Sequence, residues 1–226
     1  MEDTKVKIYP SILSADFSVL GDEITAITDG RADGIHIDIM DGQFVPPITF
    51  GPMIVPFIKG RSDLPLDIHM MVINPERYFE ELIEIGVDSI TVHLEACKDI
   101  KKTLDHLDTF EVLKCVALNP KTSLKNLLPF LKYIDRILIM SVEPGYGGQK
   151  FIPESLGKIE RAKNMIRSNG GGTSIQVDGG VNLSTIKLIQ DAGADIIVAG
   201  SAVFNDEDAG TNLQTLRKYA EGNKVK

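Results

Sequence analysis

The stretch "HIDIMDG" at residues 36–42 places a histidine and two carboxylates where a buried strand is expected. It follows Gly34, and Ile35, Ile37 and Ile39 alternate with His36, Asp38 and Met40. Successive side chains of a strand point to opposite faces, so the isoleucines share one face and the polar residues share the other with Met40. A parallel strand inside a barrel is buried on both sides, one against helices and one toward the barrel interior. The alternation therefore predicts isoleucines against helices and His36, Asp38 and Met40 pointing inward. They lie toward the C-terminal end of the strand, the end at which barrels of this kind carry their sites.

Working outward, eight short β-branched runs punctuate the chain: "KIYPSIL", "GIHIDIM", "LDIHMMV", "SITVHLE", "LKCVALN", "RILIMSV", "SIQVDG" and "DIIVAGS". Helix-period segments separate them. In "PERYFEELIEIG", Tyr78, Leu82 and Ile85 fall at helical spacing, with Pro75 at the start and Gly86 at the end. Strands alternating with helices imply parallel strands and right-handed crossovers, and eight such units predict a (β/α)8 TIM barrel spanning residues 1–226 as one domain. An aspartate precedes the second, fourth, sixth and eighth runs (Asp33, Asp88, Asp135, Asp195), a repeat that tandem half or quarter barrels would produce. The competing fold, a doubly wound open sheet, would carry a Gly-x-Gly-x-x-Gly turn after the first strand, and none is present.

Composition narrows the class. The chain is 43% hydrophobic and 25% charged, ordinary globular values, and no apolar run reaches the roughly 20 residues of a membrane span. The acidic start "MEDTKVKIYPSILS" lacks a signal pattern, which predicts no secretion. Cys97 and Cys115 have no metal-type spacing and read as free thiols of a cytoplasmic protein. A net charge of −8 argues against nucleic-acid binding but leaves small anionic ligands open.

Polar residues recur on other inward faces: Asp67, His69 and Met71 in "LDIHMM", Gln176 and Asp178 in "SIQVDGG". Two histidines and two aspartates at strand tops (His36, Asp38, His69, Asp178) form a nitrogen and oxygen set suited to one divalent Zn, Fe, Mn or Co ion. The bland alternative is a hydrogen-bonded polar layer within the barrel. Met40, Met71 and Met140 close inward faces, where they pack as core or exclude water from a pocket. Three glycine-bearing stretches, "EPGYGGQKF" (143–151), "DGG" (178–180) and "AGSAVF" (199–204), predict phosphate loops, the last opening a short helix. His93 in "TVHLE" is read as structural, with its direction open; His106 is read as a solvated helix residue.

Taken together, the blocks "PSILSADF", "HIDIMDGQFVPPITFG", "NPERY", "VALNP", "MSVEPGYGGQKFIP" and "VDGGVN" resemble the ribulose-phosphate 3-epimerase family over nearly the whole chain. The resemblance implies a ribulose-phosphate-binding barrel, one divalent metal ion, and interconversion of D-ribulose 5-phosphate with D-xylulose 5-phosphate. It implies His36, Asp38, His69 and Asp178 as metal ligands, and Asp38 and Asp178 as the acid/base pair. Ser11, His69, Gly145, Tyr146, Gly147, Gly148, Gly179, Gly180, Gly200 and Ser201 match substrate and phosphate contacts, and Met40, Met71 and Met140 match the methionines over the reacting carbon. It also implies a homo-oligomer, dimer or hexamer. Gln43, Pro47 and Met70 depart from the family pattern.

The chemistry agrees with that resemblance. Inverting a carbon beside a carbonyl needs proton removal on one face and return on the other, which two carboxylates supply. Rival readings are a related ketose-phosphate 3-epimerase, such as one for allulose 6-phosphate, a non-catalytic phosphosugar-binding barrel, and a metal-free lyase or decarboxylase barrel.

Overall fold

All six residues of β2 (Ile35–Met40) are buried, isoleucines and polar residues alike, in a computed structural model that describes residues 6–222. The other strands are β1 (Lys7–Pro10), β3 (Leu66–Met71), β4 (Ser89–His93), β5 (Leu113–Leu118), β6 (Arg136–Met140), β7 (Ser174–Asp178) and β8 (Ile196–Ala199). All pair in parallel in the order β1-β8-β7-β6-β5-β4-β3-β2, and a parallel bridge between Ser11 and His36 closes the sheet. The fold is the expected (β/α)8 barrel.

Helices α1 (Leu20–Asp29), α2 (Val55–Lys59), α3 (Phe79–Ile85), α4 (Ile100–Leu107), α5 (Glu154–Ser168), α6 (Ile186–Ala192) and α7 (Ala209–Ala220) surround the strands. One crossover differs: Leu124–Tyr133, between β5 and β6, is a 3-10 run containing Pro129. Proline has no N–H and clashes with the carbonyl four residues back, so it disrupts a regular α-helix at this position. β1 is also shorter than the run "KIYPSIL" predicted. It stops at Pro10, and Ile12–Ser14 turn into a 3-10 element capped by the Ser11 hydroxyl, which accepts from Leu13 N.

The outward strand faces (Ile35, Ile37, Ile68, Ile137, Val177, Ile197) pack with the helices in one apolar layer. Inside the barrel Ala117, Leu138, Met140 and Val142 form a separate cluster, and Met40, Val45 and Met71 form a third at the mouth.

The aspartate repeat acquires a physical meaning. Asp33, Asp88, Asp135 and Asp195 each accept, at 2.8 Å through Oδ2, the backbone N–H of a residue at the start of an odd strand, its first (Leu66) or second (Ile8, Lys114, Ile175). Each aspartate N–H returns a bond to that same residue's carbonyl. Odd and even strands are thus clamped in pairs, which makes four quarter-barrels. The carbonyls of Asp88, Asp135 and Asp195 also accept from Leu113, Ser174 and Lys7 of the next odd strand. Asp33 lacks the equivalent bond because Pro65 occupies that register and has no N–H to give.

No helix among the described residues is long and apolar enough to cross a membrane.

Candidate active site

Parallel register sets His36 beside Asp67 and Asp38 beside His69. All four point inward, because period-two alternation repeats on both strands. Asp178 ends β7 and reaches the same point. Ligand atoms of His36, Asp38, His69 and Asp178 all lie within 4.8 Å of one another. Asp38 Oδ1 is 2.8 Å from His69 Nδ1 and 3.3 Å from His36 Nε2, and Asp178 Oδ2 is 3.8 Å from His69 Nδ1. Ser11 donates its hydroxyl to Asp38 Oδ2 at 2.6 Å. The turn that shortens β1 is what brings this serine to the barrel mouth.

The two carboxylates differ in proton affinity. Burial alone would raise Asp38, but the charges of His36 and His69 and the hydrogen bond from His69 outweigh it and hold Asp38 well below the usual carboxylate range. Asp178 is pushed up to about 7, by burial first and by the negative charge of Asp38 second. Two nearby carboxylates driven apart in this way are the pattern of an acid/base pair.

His36 Nδ1 contacts Asp67 Oδ2 at 2.7 Å, while its Nε2 is buried with no hydrogen-bond partner. That unpaired nitrogen faces the center of the cluster. Burial lowers the His36 pKa, yet Asp38 and Asp67 together hold it well above the usual imidazole range. A mixed set of two imidazoles and two carboxylates around an unpaired nitrogen fits a divalent cation, which would take the place of that proton.

Behind His36 lies a fully buried network that sequence reasoning assembled only in part. Asp67 accepts from Ser89 Oγ, from Arg136 Nη1 at 3.0 Å and from Gln176 Nε2 at 2.6 Å. Asp67 and Gln176 were expected to face inward; Arg136 was not assigned a direction. Its position as the first residue of "RILIM", in step with Leu138 and Met140, was the available signal. Behind His69 stands His93, fully buried, its Nε2 2.8 Å from His69 Nε2. His106 is not simply solvated: its ring sits 5.5 Å from both Phe79 and Phe110.

Above the carboxylates opens a cleft. Ser11, Met40, Met71, Met140, Gly145, Tyr146, Gly147, Gly148, Gly179, Gly180, Gly200 and Ser201 all line it, as do Leu13, Ser14 and Val142, which the sequence did not single out. His36 and His69 lie beneath its floor, fully buried. Gln43 and Pro47 do not line it; Pro47 supports Gly145, where an added Cβ would meet its Cδ at 3.4 Å.

Three loops meet at one end of the cleft. Gly180 has φ +64°, and a Cβ there would sit 2.3 Å from Phe151 N, so no other residue fits. Gly200 approaches Ser14 so closely that a Cβ would lie 2.6 Å from its Oγ. No hydrogen bond among the described residues uses the backbone N–H of Gly147, Gly148, Gly180, Gly200 or Ser201. The helix expected to open at Gly200 does not form. Val203 and Phe204 donate to Gly200 O in a single turn, so anion-holding capacity here comes from loop amides without a helix dipole.

With that geometry in view, similarity to known proteins decides the family. Residues 7–204 match the ribulose-phosphate 3 epimerase family. The chain is 44% identical to ribulose-phosphate 3-epimerase of Bacillus subtilis, covering 94% of this chain and 98% of that one. It is 46% identical to the Synechocystis enzyme of the same name, over 88% of each. The chain belongs to the ribulose-phosphate 3-epimerase family. Its curated relatives are epimerases, a class of isomerase. Solved structures at low identity share the fold alone: the tryptophan synthase alpha-subunit of Pyrococcus furiosus superposes with a TM-score of 0.69 at 19% identity, covering 97% of this chain and 98% of that one. In this epimerase-family chain both cysteines are free, as expected, and burial pushes Cys115 up to about 12 and Cys97 to about 11.

Proposed function

We propose that the protein interconverts D-ribulose 5-phosphate and D-xylulose 5-phosphate by two-base proton transfer at C3. The observation that carries this reading is the pair Asp38 and Asp178, in one cleft with proton affinities driven in opposite directions. Asp38, ionised, takes the C3 proton from one face of the substrate. Asp178, whose hold on a proton is strengthened by burial and by the charge of Asp38, gives a proton to the other face. The reverse reaction exchanges the roles, as reversibility requires. Met40, Met71 and Met140 line the same cleft and shield the reacting carbon from water. A non-catalytic binder would need no such opposed carboxylates.

His36, Asp38, His69 and Asp178 would hold one divalent ion, with Zn, Fe, Mn and Co all compatible with these donors. When bound, such an ion supplies Lewis acidity to an enediolate, worth several kcal/mol. Stripping metal with a strong chelator is expected to abolish activity, and returning about one ion per chain to restore it, checked by elemental analysis beside the assay. Full activity in metal-free protein would overturn the metal assignment.

The free loop amides would bind the phosphate. Gly180→Ala forces the backbone away from φ +64° or against Phe151. Displacing one charge-assisted amide contact should raise KM for the phosphorylated ketose roughly 10- to 100-fold, with a smaller effect on kcat. An unchanged KM would place the phosphate elsewhere. Assembly as a dimer or hexamer and a cytoplasmic location belong to the same reading, carried by family membership alone.

A further inference from the structure

His93 takes no part in the steps above, yet it is fully buried against a proposed ligand. His69 Nε2 and His93 Nε2 lie 2.8 Å apart, with ring centroids 5.0 Å apart. Two ring nitrogens this close share one proton, so one ring donates and the other accepts. On its far side, His93 Nδ1 lies 3.4 Å from Glu95 Oε2, a charge contact without an aligned hydrogen bond, and no other group bonds to that buried nitrogen. An ionised carboxylate only accepts, so it favors a proton on His93 Nδ1. His93 Nε2 must then accept, His69 Nε2 must donate, and His69 Nδ1 is left bare toward Asp38 and Asp178.

That is the form of His69 a metal ion needs. Asp38 pulls the other way, because at 2.8 Å from His69 Nδ1 it would hold a proton on that nitrogen. The outcome therefore depends on how firmly Glu95 is placed. Its Oε1 accepts from Asn119 N at 2.9 Å and from the Thr122 hydroxyl, and the Phe44 ring covers His93 with centroids 4.7 Å apart.

We propose that Glu95, acting through His93, is a positioning residue that selects the metal-binding tautomer of His69. The inference rests on His69 being a metal ligand. Its partners around His69 are Asp38, Asp178 and His36; around His93 they are Glu95 and Asn119.

The test is Co(II) binding to metal-stripped protein at neutral pH, read by visible absorbance in competition with a chelator. Glu95→Gln keeps the shape and the oxygen that holds Asn119 and Thr122, but turns an N–H toward His93 and reverses the chain of donors. Co(II) affinity should fall about 10- to 100-fold. Thr122→Val, which removes one of the two bonds that place Glu95 but keeps its charge beside His93, should lose less Co(II) affinity than Glu95→Gln. Unchanged affinity in Glu95→Gln would overturn the proposal, and so would an equal loss in Thr122→Val, since the loop would then be the cause. If circular dichroism shows Glu95→Gln unfolded, His93→Phe decides: loss of affinity supports the relay and wild-type affinity overturns it. Absence of Co(II) binding in the unaltered protein would instead remove the metal assignment itself.

Discussion

Asparagine in place of either Asp38 or Asp178 stops net epimerisation, with turnover falling by about 10²- to 10⁴-fold, the usual contribution of a positioned proton-transfer group. Each direction needs one base and one acid, so losing either carboxylate blocks both. The surviving carboxylate still exchanges the C3 proton of one epimer, and the two variants do so from opposite epimers. Deuterium wash-in at C3, followed by NMR from each epimer separately, reads this directly. Both residues are also proposed ligands, so metal content is measured on the same samples and Co(II) or Zn(II) is restored to full loading first. Metal-loaded variants that epimerise near the wild-type rate would refute the two-base mechanism. Symmetrical loss of exchange from both epimers in both fully loaded variants would point to a single shared base.

Arg136→Met is expected to lower folding stability by about 3–5 kcal/mol, the cost of stripping one partner from a buried ion pair. Arg136 is 5% exposed and Asp67 is fully buried, with Nη1 3.0 Å from Oδ1. Burial would raise the Asp67 carboxyl, but Arg136 first, and then His36 and Ser89, hold it well below the usual range. Removing the guanidinium leaves an uncompensated carboxylate at the barrel center, close to Asp38 and Asp178. Urea denaturation measures the loss, and a change within about 0.5 kcal/mol would show that Asp67 is neutralised by its other partners. In Arg136→Met, Asp67→Asn the two losses should not add, because the second substitution removes the charge that the first exposes.

The local chemistry of the barrel was legible from residues 36–42 onward. Alternation alone assigned Ile35, Ile37 and Ile39 outward and His36, Asp38 and Met40 inward, since strand direction depends only on a period of two. The same rule placed Asp67, His69, Gln176 and Asp178 correctly, and all eight strands formed where β-branched runs stood. Even the aspartates before alternate strands were visible as a repeat, although their bonds to Ile8, Leu66, Lys114 and Ile175 were not. Boundaries were less legible: a serine cap ended β1 early, and Pro129 turned one expected helix into a 3-10 run.

What the sequence by itself determined is therefore which side chains enter the barrel and how the donor types recur. What only the tertiary structure decided is which of them touch. Arg136 meets Asp67 across 69 positions and Gln176 meets it across 109. His93, whose direction alternation left open, points in and meets His69. The short helix expected to open at Gly200 reduced to one turn, leaving bare loop amides. The reason is physical: side-chain direction follows from each strand's own pleat, whereas distances between strands depend on register and on closure of the sheet at Ser11 and His36, which no single segment carries.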